Sequence, residues 1–451
     1  MRVLLANLPW FINNRYGVRA GSRWPFTSFP EKDGKIHYIP FPFFLAYATS
    51  LLKQKGKTAE LIDAIAEGLT EEEFIKKAIA YNPDLIVVET STPSLNNDLA
   101  IAKSLKNTLA NLKIIFCGPH PSVYPSQILK DNKFIHYIMV GEYEYTLLEL
   151  MDSLEKGLNL NSVLGLAYRD SDNIKVNRRR STINDLDGLP WPYRDRLTIY
   201  RYNDGFADLP LPNVQIWASR GCPYQCTFCL WPQVIYNEHK YRKRNPKNVV
   251  DEMEYLIKNF GFKAVYFDDD IFNAEKKQVL AICDEITRRN IKIPWAIMGI
   301  TSLMDKELLT ELARAGLYAI KYGVESADSE ILASCQKSID LEKSKQIINI
   351  TKQLGIKVHL AFCVGLPGET RNTVQKTVDF IHNIRPDSLQ ISLATPFPGT
   401  EYFNYSKKNN WLLSEDWDNF DGNYKANINS DELKAEELDQ IIVNLRKEFK
   451  L

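Results

Sequence analysis

At 451 residues, with 45% hydrophobic and 25% charged side chains, the chain has the composition of a folded globular protein and is too long for one ordinary core, so two or three domains are expected. Its 56 basic residues balance 56 acidic ones, which argues against a nucleic-acid partner. The longest early apolar stretch, residues 39–48, is short and broken by two prolines, which rules it out as a membrane span.

No signal peptide is read ahead of the first strand, so a cytoplasmic location is expected. The seven cysteines then read as thiols and metal ligands rather than disulfides. Up to about residue 150, short β-rich runs alternate with helical patterns, the mark of a parallel sheet with crossover helices. Strands are expected over 3–6, 58–63, 85–89, 113–117 and 136–140, with helices over 46–55, 71–81 and 97–109. Ligands of such sheets sit at the carboxyl ends of the strands. The segments falling there contain Asp63 and Ala64, Thr90 to Pro93, Gly118 to Pro121, and Gly141 to Glu144. They are rich in small and hydroxylated residues, as close backbone approach to a large ligand requires. The long first connection carries Arg15, Arg19, Arg23 and Trp24. It reads either as a lid or as domain-interface packing.

A polar hairpin is expected over 163–177, across the turn-rich 170–173, and the prolines within 185–192 mark a boundary. The apolar run 214–218 then leads into Cys222, Cys226 and Cys229. Three thiolates so spaced hold three irons of a 4Fe-4S cube and leave the fourth iron open. A zinc site is the alternative, but it typically needs a second knuckle, and none is apparent. Cys117, Cys283, Cys335 and Cys363 lie in apolar or helical patterns and read as core residues. The basic runs 178–180 and 240–244 read as solvated faces, the second being close enough to the cysteines to meet an anionic substrate group.

Strands over 264–267, 294–298, 319–323, 358–363 and 388–393, with helices over 248–259, 276–289, 306–315 and 344–354, follow as a partial (β/α) barrel. Functional residues of such barrels gather at the carboxyl ends of the strands. Those ends carry Asp268, Asp269 and Asp270; Gly323 to Ser326; Gly365 to Glu369; and Pro396 to Thr400. The three aspartates read either as an ammonium site or as a divalent-metal loop.

The cysteine spacing, with Phe228 just before the last thiol, resembles the signature of the radical S-adenosylmethionine (SAM) enzymes, and the four strand-end elements follow that family's order. The resemblance implies a 4Fe-4S cluster on Cys222, Cys226 and Cys229, whose open iron chelates SAM and delivers the electron that cleaves it. It implies SAM contacts from Phe228, Asp269, Asp270, Glu325, Ser326 and Gly365. Aspartates stand where that family has a Gly-Gly-Glu-like element, a departure in the backbone part of the ammonium contact.

The preceding α/β half is similar to the cobalamin-binding domain of cobalamin-dependent radical SAM enzymes. The implied fold is a flavodoxin-like domain over 1–150, a hairpin and linker over 151–205, a partial (β/α)6 radical SAM barrel over 206–400 and a helical extension over 401–451. Cobalamin contacts are implied for Asp63, Ile65, Ser91, Thr92, Gly118, His120, Gly141 and Glu142. His120 reads equally as a corrin contact or a satisfied loop histidine. Enzymes that supply a histidine to cobalt carry D-x-H-x-x-G. Here Ile65 stands at the histidine position, two residues after Asp63, so no imidazole from this loop reaches the metal. Arg19, Arg23 and Trp24 are assigned to the substrate side. The nearest resemblances are to the hopanoid cyclitol ring-contracting type and the anaerobic magnesium-protoporphyrin ester cyclase, while most other relatives methylate unactivated carbon. C-methylation of a small molecule is expected, fed by an external one-electron donor such as flavodoxin or ferredoxin. Ring contraction or cyclisation is the alternative chemistry, and a non-catalytic cobalamin or redox sensor the alternative class. Trp231, Trp411, Trp417 and Phe420 are expected either to line the pocket or to close the bottom of the barrel.

Overall fold

The computed structural model describes residues 1–30, 36, 38–171, 173–195 and 197–451. Strands Arg2–Asn7, Thr58–Asp63, Leu85–Glu89, Lys113–Cys117 and Tyr137–Met139 form a parallel sheet in spatial order 2-1-3-4-5, the flavodoxin-like arrangement. The run Leu-Ile-Val-Val in the third strand is buried on both faces, as expected for a strand covered by crossover helices. Local signals agree with the global fold. Helix Glu71–Tyr81 opens on a capping box between Thr70 and Glu73 and closes on left-handed Asn82, which satisfies terminal backbone groups that would otherwise be orphaned.

The hairpin read as part of the linker is Leu166–Asp170 paired with Asn173–Val176, and its first strand adds antiparallel to Tyr137–Met139. It therefore extends the first sheet to seven strands. Position 172 of its turn, which the sequence reading included, lies outside the described residues.

The second sheet has six parallel strands in sequential order: Asn213–Ile216, Ala264–Phe267, Trp295–Gly299, Leu317–Glu325, Lys357–Val364 and Ser388–Leu393. Its curl makes a half-barrel. Each crossover helix buries an apolar stripe against the outer face, as Val249, Val250, Met253 and Leu256 do in Pro246–Phe260. Phe206, Ala207 and Leu209, just before the first barrel strand, pack with Ala264, Tyr266 and Ala296. They close the bottom of the lumen.

That position corrects the placing of the tail aromatics there. Trp417 and Phe420 lie at the opposite end. Trp417 stands edge-on to His120 at 4.8 Å and on Phe420 at 5.4 Å, over the strand ends of the first sheet. Trp411 packs against Tyr405. The tail is helical at Glu401–Lys408 and Ala435–Phe449. Among the described residues, no helix is long and apolar enough to cross a membrane.

Candidate active site

The first barrel strand ends at Ile216, and Ser219–Arg220 then pairs with Arg242–Lys243, tying off the loop that carries the cysteines. A stretch of π-helix, Trp231–Tyr236, follows; such turns are frequent at functional sites. It aims Gln233 back under the loop. Gln233 Nε2 lies 3.1, 3.0 and 2.9 Å from the carbonyls of Cys226, Thr227 and Cys229, while its Oε1 accepts from Glu401 N at 2.8 Å. One side chain thus fixes three loop carbonyls to the start of helix Glu401–Lys408. The three cysteines are free and partly exposed, and Cys229 feels the charge of both Cys226 and Cys222. Burial pushes the Cys222 thiol up to about 12, so it stays protonated in neutral water until a metal displaces the proton from sulfur and releases it to solvent. Three convergent thiols on a braced loop fit a cluster that takes one sulfur per iron.

The aspartates at the end of the second barrel strand fan apart. Asp268 faces the lumen and accepts from Arg23 Nη1 at 2.8 Å. Asp269 turns back to the first strand, accepting from the Ser219 hydroxyl and from Ala218 N. Asp270 accepts from Gly221 N at 2.7 Å, Tyr236 Oη at 2.9 Å and Arg23 Nε at 2.7 Å. Burial pushes both Asp268 and Asp269 up to about 7. Of the three, Asp270 is the one whose charge reaches the thiols of Cys222 and Cys229.

At the fourth strand the pairing register slips between Gly323 and Glu325, and Glu325 takes φ +67°. Such bulges re-aim a side chain. Glu325 meets half-buried Lys337 at 2.9 Å, and the Lys337 ammonium also feels Cys226 and Cys222. Ser326 is fully buried, its hydroxyl accepting from Asp328 N. Gly365 donates its N–H to Glu369 and its carbonyl accepts from Tyr402 at 2.6 Å. Gly399, from the Pro396 to Thr400 element, has φ +86°, and a Cβ there would sit 2.6 Å from Val123 and 2.7 Å from Val234. Glycine is required where the two domains and the π-helix meet.

A cavity of about 180 Å³ opens between the lumen and the first-domain insert. Cys229, Phe228, Glu325 and Cys363 bound it on the cluster side, and Ser22, Arg23, Trp24 and Phe26 cover it. Trp24 stands edge-on to Phe228 and Phe397 and donates to Gly422 O at 3.0 Å. Arg23 lies 4.7 Å from the Trp231 ring. Arg23 and Trp24 therefore roof this cavity, whereas Arg19 does not reach it. Buried Arg19 pairs with Asp98 at 2.5 Å and donates to Asn7 and Leu8. It borders a second crevice, at the switch point of the first sheet, with Ser22, Glu89, Gly118, Gly141 and Trp231.

Around that crevice Asp63 caps the turn Ala64–Glu67 and accepts from Asn7 and Tyr202. Ile65 is buried among Trp10, Tyr16 and Val18. The Ser91 hydroxyl meets that of Ser94, and Thr92 Oγ1 lies 3.2 Å from His120 Nδ1. Burial pulls His120 down to about 3, so it is neutral at physiological pH. Glu142 points into the domain interface, where it pairs with Arg220 and Arg242 and accepts from Ile183 N. Gly118 has φ +97°, and a Cβ would fall 2.6 Å from Thr90 O. Thr90 Oγ1 is buried with no hydrogen-bond partner among the described residues. An orphan hydroxyl beside glycines and small side chains at the switch point fits a large polar ligand there.

A flavodoxin-like sheet set against a half-barrel with three thiols at its rim defines a two-domain radical enzyme. The B12 binding domain model matches residues 34–151, and the Radical SAM superfamily model matches residues 218–381. The chain is 29% identical over 377 residues to an uncharacterized methyltransferase of Pyrococcus horikoshii, covering 83% of this chain and 80% of that protein. It is 28% identical over 375 residues to the anaerobic magnesium-protoporphyrin IX monomethyl ester cyclase of Rubrivivax gelatinosus, covering 80% and 65%. The solved cobalamin-dependent SAM radical enzyme OxsB, with aqua-cobalamin and SAM bound, superposes with a TM-score of 0.74 at 19% identity, over 96% of this chain and 64% of that one. The chain thus carries a B12 binding domain ahead of a radical SAM domain, a pairing whose cofactors are a 4Fe-4S cluster, SAM and cobalamin.

The sequence reading passed over Gln233, Lys337, Asp268 as a side chain in its own right, and the lumen residues Asp204 and Lys321. Period-two alternation along Leu317–Glu325 places Lys321 on the same face as Ala319, Gly323 and Glu325, which would have exposed it. Gln233 had no comparable signal, because it acts through backbone carbonyls of the loop before it.

Proposed function

We propose that this chain is a C-methyltransferase acting on an unactivated carbon of a small molecule held in the barrel lumen. The observation that carries this reading is a shared wall: Ser22 borders both the lumen cavity and the switch-point crevice. A carbon held in the first cavity is therefore one residue's thickness from the second. When bound, the cluster and SAM supply hydrogen-atom abstraction and cobalamin supplies a methyl group.

The chain's own residues set the geometry. Cys222, Cys226 and Cys229 would hold the cluster, and Gln233 braces their loop. Glu325, Ser326, Asp270 and the Gly365 turn form the surroundings of SAM, with Lys337 balancing Glu325. Asp63, Ser91, Thr92, Gly118, His120 and Gly141 border the corrin site. Ile65, at the position where a histidine could ligate, would offer cobalt no imidazole from its loop. Trp24, Phe228 and Phe397 exclude water from the lumen.

Anaerobic reconstitution with iron, sulfide and hydroxocobalamin, then reduction with SAM and mass spectrometry, tests the reading. Formation of both 5′-deoxyadenosine and S-adenosylhomocysteine with bound corrin supports methyl transfer. 5′-Deoxyadenosine without the methyl-transfer product, once substrate is present, replaces it with ring contraction or cyclisation, the chemistry suggested by the cyclase relative. Neither product from an intact cluster points to a sensor.

A further inference from the structure

The lumen is charged where barrels of this type are ordinarily filled by branched aliphatic side chains. Asp204 and Asp268 enter it beside Lys321 and Arg23. The charges pair off unevenly. Glu325 is matched by Lys337 at 2.9 Å, and Lys321 is the cation that most favours ionised Asp204. Arg23 bonds both Asp268 and Asp270, and Lys321 reaches Asp268 only as a weaker cation shared with Asp204. His359, deeper in the lumen, is kept neutral by burial and by Lys321.

One carboxylate is therefore left without a cation of its own. It has a free oxygen as well. Asp268 is 1% exposed, its Oδ1 is taken by Arg23, and its Oδ2 has no hydrogen-bond partner among the described residues. A buried carboxylate oxygen without a donor is costly unless a ligand supplies one. We propose that the substrate carries an amine, protonated at neutral pH, that docks on Asp268 Oδ2 in the lumen.

A divalent ion would need several converging oxygens, and the neighbouring carboxylates turn away from Asp268, Asp269 to Ser219 and Asp270 to Gly221 N. The ammonium of SAM is the other possible donor, and location argues against it. A group bound at the open iron lies beside the thiols. The charges those thiols feel most are those of Asp270, Glu325, Lys337 and Arg23, so Asp270 rather than Asp268 is the aspartate beside them. The oxidised cluster with its thiolates and SAM carry opposite net charges of one unit, so loading both leaves the lumen imbalance in place.

This inference rests on the lumen being the substrate site. Its test is binding rather than turnover, and 5′-deoxyadenosine yield in the same preparations reports separately on the underlying reading. Calorimetry on the cluster- and SAM-loaded protein would compare n-butylammonium with n-butanol, probes of equal shape. A preference for the amine of about tenfold is expected, the scale of one charge-assisted hydrogen bond. Asp268→Asn should bring the two probes to parity while SAM affinity is unchanged. Parity in the wild type overturns the proposal, as does an Asp268→Asn variant that loses SAM affinity as strongly as amine affinity. If that variant does not fold, Lys321→Met decides: removal of the competing cation should widen the preference for the amine, and an unchanged or narrower preference overturns the proposal.

Discussion

Arg23 Nη1 donates to Asp268 Oδ1 at 2.8 Å across 245 positions of chain, joining the first-domain insert to the second barrel strand. The same guanidinium reaches Asp270, which in turn holds Gly221 N beside Cys222. Replacing Arg23 with Met leaves two buried carboxylates unbalanced, and a loss of about 3–5 kcal/mol is expected. Arg23→Lys should recover only part of it, since an ammonium cannot reproduce the fork. Denaturant unfolding of both variants checks this, and equal stability of Met and Lys variants would refute the clamp.

Gln233→Leu removes the brace beneath the cysteine loop while keeping side-chain bulk. Each lost hydrogen bond is worth roughly 1 kcal/mol, so the larger effect is expected on the loop itself. Iron and sulfide per polypeptide after anaerobic gel filtration should fall below wild type. Wild-type iron content would show that the loop is ordered by other contacts.

Gly118→Ala places a methyl 2.6 Å from Thr90 O at φ +97°. The strained residue should cost about 1–3 kcal/mol and reshape the switch-point crevice. Thermal unfolding and the corrin absorbance retained after desalting should both decline. Normal corrin retention would separate this strand end from cobalamin binding.

Glu369 is buried beside Gly365, and burial raises its carboxyl from the ordinary 4.5 to about 7, against two backbone N–H donors that lower it. A raised value in the folded state means that its contribution to stability is full below pH 4.5 and is lost as pH climbs to about 7. Glu369→Gln removes that loss, so the variant should match wild type in acid and exceed it at pH 8 by about 3 kcal/mol. Parallel pH profiles for the two proteins would disprove it.

Much of the architecture was legible because it repeats. Alternating strands and helices, capped as at Thr70 and punctuated as at Gly261, carry their own period, and all ten expected parallel strands lie where strands form. The cysteine triad was equally plain, because metal ligation imposes its own spacing. Partnerships made over long sequence distances were not. Glu142, assigned to the corrin, meets Arg220 and Arg242 of the other domain, and Arg19, assigned to substrate, is closed off by Asp98. Neither residue type says whether its partner is a ligand or another side chain. Asp268, Asp269 and Asp270 stand side by side in sequence yet point to the lumen, the first strand and the cysteine loop, because the strand ends there and its alternation gives way to a turn.

Ser22 faces two chambers, and this has a bearing on how such enzymes can be recombined. The segment that roofs the lumen is encoded with the first domain but shaped by the second through Asp268, Asp270 and Gly422. A chimera cut at the visible boundary would carry one parent's roof onto the other parent's floor. Exchange of substrate preference between relatives therefore requires the insert to travel with the barrel, leaving the strands of the first sheet behind.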